Sequence, residues 1–110
     1  MQLPLCVDLS EKMEAMTEPW IPLEIARCNG QVVRLAKFEG SYHWHVHTEE
    51  DELFFVVKGQ ITIQIRGQAE LVLSEGQIAV IPRGMEHCPS SKGQSFVLMM
   101  EPATLNSTGN

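Results

Sequence analysis

The chain has 110 residues, of which 44% are hydrophobic and 20% are charged, a balance typical of one globular domain. Its formal net charge is −6, and its eight lysines and arginines are scattered rather than clustered. These features argue against nucleic acid and against an anionic membrane as partners. No apolar run approaches the ~20 residues that span a bilayer. We expect no secretory leader, because no basic stretch precedes an apolar one at the N-terminus.

Three cysteines, Cys6, Cys28 and Cys88, occur without any Cys-x-x-Cys spacing. An odd number without that spacing argues against a disulfide framework. The cysteines therefore favour a reducing cytoplasm as the location of the protein.

Residues 8–17 predict one short helix. Leu9, Met13 and Met16 recur at helical spacing on one face, and Asp8 or Ser10 could cap the start. The helix should end before Pro19, because proline disfavours helix at the residue before it. We expect residues 1–19 to form a helical segment that packs on the domain that follows.

From Trp20 onward the sequence changes to short strand-like runs with glycine or proline at nearly every corner. Asn29-Gly30 is a strong hairpin signal between two such runs. Close spacing of this kind predicts an all-β antiparallel sandwich or barrel over residues 20–102, followed by a flexible polar tail at 103–110. The predicted strands are 23–28, 31–38, 42–47, 53–57, 61–66, 69–73, 77–81, 87–88 and 96–100.

Three histidines, His43, His45 and His47, lie two residues apart on one predicted strand. A period of two places their side chains on the same face. A lone His-x-His is more often a surface or core feature than a metal site. Here, however, Glu52 opens the next apolar strand and His87 follows a proline-glycine turn. Histidines and a carboxylate that converge inside a barrel must be paired or must coordinate an ion.

Imidazole and carboxylate donors favour one divalent transition metal, namely Fe, Mn, Co, Ni, Cu or Zn, over Ca or Mg. Four such donors leave two positions open on an octahedral ion, whereas a tetrahedral zinc would be closed and structural. Glu49, Glu50 and Asp51 are alternative carboxylates, although a solvated acidic loop is the simpler interpretation.

Two stretches resemble the paired motifs of the cupin family. Gly40 to Gly59 contains His45-x-His47, then Glu52, then a glycine; Gly76 to His87 contains Pro82-x-Gly84 followed by the histidine. The match has two departures: a glycine-to-histidine gap of four in the first motif, and Ser91 where the second often ends in asparagine. The stretches around His45 and Glu52, with the closing Glu101-Pro102, are similar to small mannose-6-phosphate-isomerase-like cupins.

The resemblance covers about residues 20–102 and implies a double-stranded β-helix, a jelly-roll barrel, preceded here by the short helix. It implies that His45, His47, Glu52 and His87 hold the metal, since the spacing to Gly59 selects Glu52 among the neighbouring carboxylates. It also implies a homodimer. His43 is our candidate catalytic residue, as a base at the pocket mouth. The alternatives are that it supports the ligands from behind or is simply exposed at the rim.

Three functions remain open on the sequence alone. The first is a metal-dependent enzyme, of oxygenase or isomerase type, that acts on a small polar molecule. The second is a non-enzymatic module that binds a sugar or an effector, with a structural or orienting metal. The third is a scaffold-like dimer that the metal only stabilises. We favour the enzyme, because the ligand set is open for an octahedral ion.

Overall fold

The computed structural model describes residues 3–104, which form one short helix and seven strands. The elements are α1 Leu9–Ala15, β1 Leu23–Cys28, β2 Gln31–Ser41, β3 Glu52–Lys58, β4 Gln60–Ile65, β5 Leu71–Ser74, β6 Ile78–Ile81 and β7 His87–Pro102. All strand pairs are antiparallel. The prediction of an all-β double-stranded β-helix with a short N-terminal helix is confirmed.

The helix α1 begins at the predicted cap, since the Asp8 carboxylate accepts hydrogen bonds from the Ser10 and Glu11 amides. It stops at Ala15, two residues before the predicted end, because Met16 is already extended. The predicted apolar face is half-buried. Met13 lines a surface groove with Lys58 and Phe96, so the helix lies beside the ends of β3 and β7.

The seven strands form two layers that share the long strand β7. One layer has the order β1-β2-β7-β3-β6, and the other consists of β5, β4 and the first part of β7. The chain crosses between the layers at Gly59, where β3 ends and β4 begins. Asn29 and Gly30 both have positive φ, as the hairpin between β1 and β2 requires.

The core lies between the two layers and consists of inward-facing apolar side chains. On β4 the predicted alternation is confirmed: Ile61, Ile63 and Ile65 are buried, whereas Gln64 is exposed. The other core members are Ala36, Phe38, Phe54, Val56, Leu73, Ile81, Val97 and Met99. Within the described residues no helix is long and apolar enough to cross a membrane.

Two strand predictions are wrong. Residues 42–47 are not a regular strand, and only His45 pairs there, as an isolated bridge to His87. The stretches 87–88 and 96–100 belong to one 16-residue strand. Pro89 and Gly93 indicate a loop in the sequence, but the strand continues because Ser91 and Ser95 hydrogen-bond each other and the carbonyl of Gln60. Of the predicted tail, residues 105–110 lie outside the described part of the chain.

Candidate metal centre

Four side chains converge at one end of the barrel interior. His45 and His47 come from the connection between β2 and β3, Glu52 opens β3, and His87 opens β7. All four residues are buried, and one potential ligand atom from each lies within 4.8 Å of the others. The structure therefore brings together the four predicted ligands.

Main-chain hydrogen bonds fix the segments that carry the histidines. His45 and His87 exchange amide-to-carbonyl bonds of 3.0 and 2.9 Å. The Gly84 amide donates to the His47 carbonyl at 2.8 Å, which ties His47 to the turn before His87. The positions of the imidazoles thus depend on backbone pairing, which a change of side chain leaves in place.

Two imidazoles are oriented by carbonyl groups. The Nδ1 of His45 lies 3.0 Å from the His43 carbonyl oxygen, and the Nδ1 of His87 lies 2.9 Å from that of Met85. A carbonyl oxygen can only accept, so each Nδ1 carries the proton and each Nε2 offers a lone pair. This arrangement is typical of metal-binding histidines. Burial lowers the pKa of His45, which favours the neutral ring that a metal requires.

The polar atoms at the centre of the cluster fit a cation. The Nε2 atoms of His47 and His87 lie 3.4 and 3.7 Å from Glu52 Oε1. All three atoms are buried and have no hydrogen-bond partner. Lone pairs that face a carboxylate at these distances repel it unless a positive charge lies between them, and buried polar atoms are rarely left unsatisfied. A divalent transition metal satisfies all of these atoms at once.

A buried glutamate, Glu101, lies beside Glu52, and its carboxyl group also pairs with Arg34. Burial and then the hydrogen bond with Glu52 raise the pKa of Glu101 to about 9, although Arg34 opposes this rise. Burial alone would raise the pKa of Glu52 as well. The imidazoles of His47 and His87 and the protonated carboxyl group of Glu101 outweigh it and hold that pKa well below its ordinary value. Glu52 is thus the ionised member of the pair.

We expect Glu101→Gln to change the free energy of unfolding by less than about 1 kcal/mol, whereas Glu101→Leu should cost about 2 kcal/mol. The amide can donate to Glu52 and accept from Arg34, as the protonated acid does. Leucine leaves both partners without a hydrogen bond. Urea denaturation of metal-free protein at neutral pH measures both values, and equal losses for the two variants would contradict a protonated Glu101.

The alternative carboxylates lie outside the cluster. Asp51 accepts hydrogen bonds from the amide and the Nε of Arg83, at 2.9 and 3.3 Å. This pair is exposed and holds the acidic loop against the turn that presents His87. Glu49 is exposed, and Glu50 is not part of the four-residue group.

His43 differs from the other two histidines of its segment in burial. Its side chain is exposed, and its ring centroid lies 4.0 Å from that of Tyr42 and 5.4 Å from that of His45. His43 is not a member of the four-residue group, although its ring lies next to that of His45. The role of His43 as a base stays a prediction.

A small cavity of about 30 Å³, partly open to solvent, adjoins the cluster, and His45 and Glu52 form part of its wall. The rest of the wall is mainly apolar and aromatic: Trp20, Pro22, Ala36, Phe38, Tyr42, Phe54, Pro89 and Met99. The sequence analysis assigned neither Trp20 nor Glu101 a role at the site. Glu101 had a signal, since it continues the inward period of Val97 and Met99.

Comparisons with known proteins agree with this fold. Over 77 residues the chain is 36% identical to the uncharacterized protein YdbB of Bacillus subtilis (strain 168), covering 70% of this chain and 68% of that protein. A cupin-2 domain containing protein from Shewanella frigidimarina has a TM-score of 0.84 at 34% identity, covering 87% of this chain and 93% of that one.

A more distant structure is hydroquinone 1,2-dioxygenase from Sphingomonas sp. TTNP3 with 4-hydroxybenzoate bound. It has a TM-score of 0.72 at 18% identity, covering 83% of this chain and 70% of that one. At that identity the likeness shows the fold alone. The Cupin_2 family model, which describes a cupin domain, matches residues 31–101. The match spans more than half of the chain, so this protein belongs to the Cupin_2 family.

Proposed function

We propose that this protein is a metal-dependent enzyme, of oxygenase or isomerase type, that acts on a small molecule bound in the cavity. The observation that carries the proposal is the position of His45 and Glu52, which belong to the four-residue cluster and also form part of the cavity wall. The cavity therefore adjoins two of the four proposed ligands. A purely structural site needs no such access.

In this proposal the residues of the chain hold the metal, orient the substrate and exclude water. His45, His47, Glu52 and His87 hold one divalent transition metal, which supplies Lewis acidity or a path for electrons when bound. The apolar wall excludes water and fixes the orientation of the substrate. His43 is the proposed acid–base group at the rim. The hydroquinone dioxygenase neighbour supports the oxygenase alternative as an analogy of fold.

Metal analysis followed by activity measurements tests the proposal. Protein purified without chelators should contain about one transition-metal ion per chain by elemental analysis. The Fe(II)-loaded protein is then tested for oxygen uptake with catechol and hydroquinone, and the Zn(II)- and Mn(II)-loaded proteins for conversion of mannose 6-phosphate. Turnover of any of these compounds supports an enzyme if the His45→Ala variant has lost that turnover. Full metal content without turnover of any of them favours a binding module and overturns the enzymatic assignment.

We also propose a homodimer that uses the outer face of the larger layer. Six apolar side chains lie in register across β6, β3 and β7 on the side opposite the core; they are Leu53, Phe55, Ile78, Val80, Leu98 and Met100. Ile78 and Val80 are 60% and 53% exposed. A contiguous apolar face on a soluble domain marks an interaction surface, and a second copy is the commonest partner.

Val80→Asp should convert this dimer to a monomer, because a charge would be buried in the interface. Gel filtration with light scattering at micromolar concentration measures the change in mass. Gln64→Asp is the matched control, since it adds the same charge to an exposed position on the other layer. A wild-type mass equal to one chain would contradict the dimer.

The three cysteines are free thiols, with Cys6 and Cys28 exposed and Cys88 buried. Free exposed thiols persist in a reducing compartment. They support our proposal that the protein is located in the cytoplasm.

A further inference from the structure

A row of three charged side chains crosses the larger layer beside the cluster. Arg34 lies on β2, Glu101 on β7 and Glu52 on β3, and these strands are neighbours in the order β2-β7-β3. Arg34 lies opposite Met99, two positions before Glu101 on β7, so the two charged residues are diagonal neighbours. Long side chains at such positions of an antiparallel pair reach each other. The register therefore places Glu101 between a cation and a proposed metal ligand.

The carboxyl group of Glu101 contacts both of its neighbours in the row. One oxygen, Oε1, forms a salt bridge with the Nη1 atom of Arg34. The other oxygen, Oε2, is buried and has no N–H or hydroxyl donor within residues 3–104. Glu101 also forms a hydrogen bond with the carboxyl group of Glu52. A hydrogen bond between two carboxyl groups needs one proton, and Glu101 supplies it.

The row is buried in spite of its charges. Glu52 and Glu101 are 2% and 1% exposed, and the side chain of Arg34 is 17% exposed. Buried charged pairs contribute little net stability, because the loss of water offsets their attraction. Stability therefore does not account for a second carboxyl group beside Glu52. A role at the metal centre does, because groups that hold a ligand in place have a large effect on metal affinity.

Glu52 presents one oxygen to the histidines of the cluster. Its Oε1 lies 3.4 Å from the Nε2 of His47 and 3.7 Å from the Nε2 of His87. An unrestrained carboxylate can turn and offer either oxygen, or both, to a cation. The hydrogen bond from Glu101 limits this rotation, and the salt bridge with Arg34 fixes Glu101 in turn.

We propose that Glu101, held by Arg34, is a positioning residue that keeps the Glu52 carboxylate in the orientation needed to bind the metal. Without the hydrogen bond from Glu101, the carboxylate turns away from the imidazoles and the metal is bound less tightly. This inference names residues outside the ligand set, and it rests on the proposed function for the metal centre itself.

Two uncharged replacements of Glu101 test the inference. Glu101→Gln keeps a donor for Glu52 and an acceptor for Arg34, whereas Glu101→Leu keeps neither. Both side chains have the same charge as a protonated carboxyl group, so a difference between the variants reports hydrogen bonding. Titration with Co(II) in competition with a chromophoric chelator at neutral pH measures the affinity. The visible spectrum of the Co(II)-loaded protein reports the geometry of the donor atoms.

The two replacements should differ in both measurements. We expect Glu101→Gln to bind Co(II) within about threefold of the wild type, and Glu101→Leu to bind it about 10- to 100-fold more weakly. Glu101→Gln should also keep the wild-type spectrum, whereas the spectrum of Glu101→Leu should change. Rescue by the amide distinguishes positioning from a role in folding alone.

Val97→Ala is the matched control for a general loss of stability. Val97 is fully buried on the same strand as Glu101, and it belongs neither to the four-residue group nor to the cavity wall. Its truncation leaves a void in the core and removes no polar contact of Glu52. The variant should be less stable than the wild type and should keep the wild-type Co(II) affinity and spectrum.

The outcomes separate this inference from the proposed function. If the wild type binds one Co(II) per chain and Glu101→Leu binds it equally tightly, the positioning role is overturned and the metal centre stands. If both replacements weaken binding equally, Glu101 acts through its charge and the positioning role is again overturned. If the affinities differ as expected but no substrate is turned over, the positioning role stands and the enzymatic assignment fails.

Discussion

Protein in which His45 is replaced by alanine should lose its stoichiometric divalent metal on purification. The variant lacks the Nε2 donor that the His43 carbonyl orients, and only three of the four donors remain. Loss of an orienting partner alone costs about 10- to 100-fold in metal affinity, so loss of a ligand should cost more than about 100-fold. Elemental analysis and competition with a chromophoric chelator measure the effect.

His43→Ala is the matched control for this prediction. His43 lies on the same segment, two residues away, but its exposed side chain is not in the cluster, and its carbonyl survives the substitution. It should keep about one metal per chain. The bridge between His45 and His87 uses main-chain atoms, so the metal-free form of His45→Ala should remain folded. Wild-type metal content in His45→Ala would remove the basis for the ligand assignment.

The sequence predicted the core and the cluster where local periodicity or motif spacing determined them. Ile61, Ile63 and Ile65 alternate because one side of β4 faces the core, and a period of two is visible without knowledge of the neighbouring strands. His87 lies beside His45 because the two motifs pair across the barrel. That pairing was expected from the resemblance to cupins. The spacing within each motif is what placed the four residues in one group.

The sequence could not predict features that depend on how separate strands meet. His43 was assigned to the face of His45 by a strand period, but the segment forms a bridge only at His45, and the side chain of His43 is exposed whereas that of His45 is buried. Glu101 is 49 positions from Glu52, and the two carboxyl groups meet only because β7 pairs with β3. The cavity likewise needs Trp20, which precedes the first strand and is held by carbonyls of β2.

Gly59→Ala should lower the free energy of unfolding by about 4 kcal/mol. A Cβ atom at this position would lie 2.4 Å from Ser95 Oγ, 2.9 Å from Ser95 Cβ and 3.0 Å from the Gln94 carbonyl oxygen. Its φ of +93° also strains any residue with a side chain. Overpacking and backbone strain each cost about 1–3 kcal/mol. Urea denaturation followed by circular dichroism measures the loss.

The loss should be large because Ser95 connects the two layers at this corner. Its hydroxyl group accepts from the Gln60 amide at 3.1 Å, contacts the Gln60 carbonyl at 3.0 Å and lies 2.7 Å from Ser91 Oγ. A Cβ at position 59 displaces that hydroxyl and breaks the link between β4 and β7.

Gly67→Ala separates the cost of backbone strain from the cost of overpacking. Gly67 has a similar positive φ of +77°, but a Cβ there would meet nothing within 4 Å. Gly67→Ala should lower the free energy of unfolding only through backbone strain, by about 1 kcal/mol. In a Ser95→Gly background the cost of Gly59→Ala should also fall, because the two closest contacts are then absent. If Gly59→Ala and Gly67→Ala lose the same stability, the tight approach of β3 to β7 is not what requires glycine at the corner.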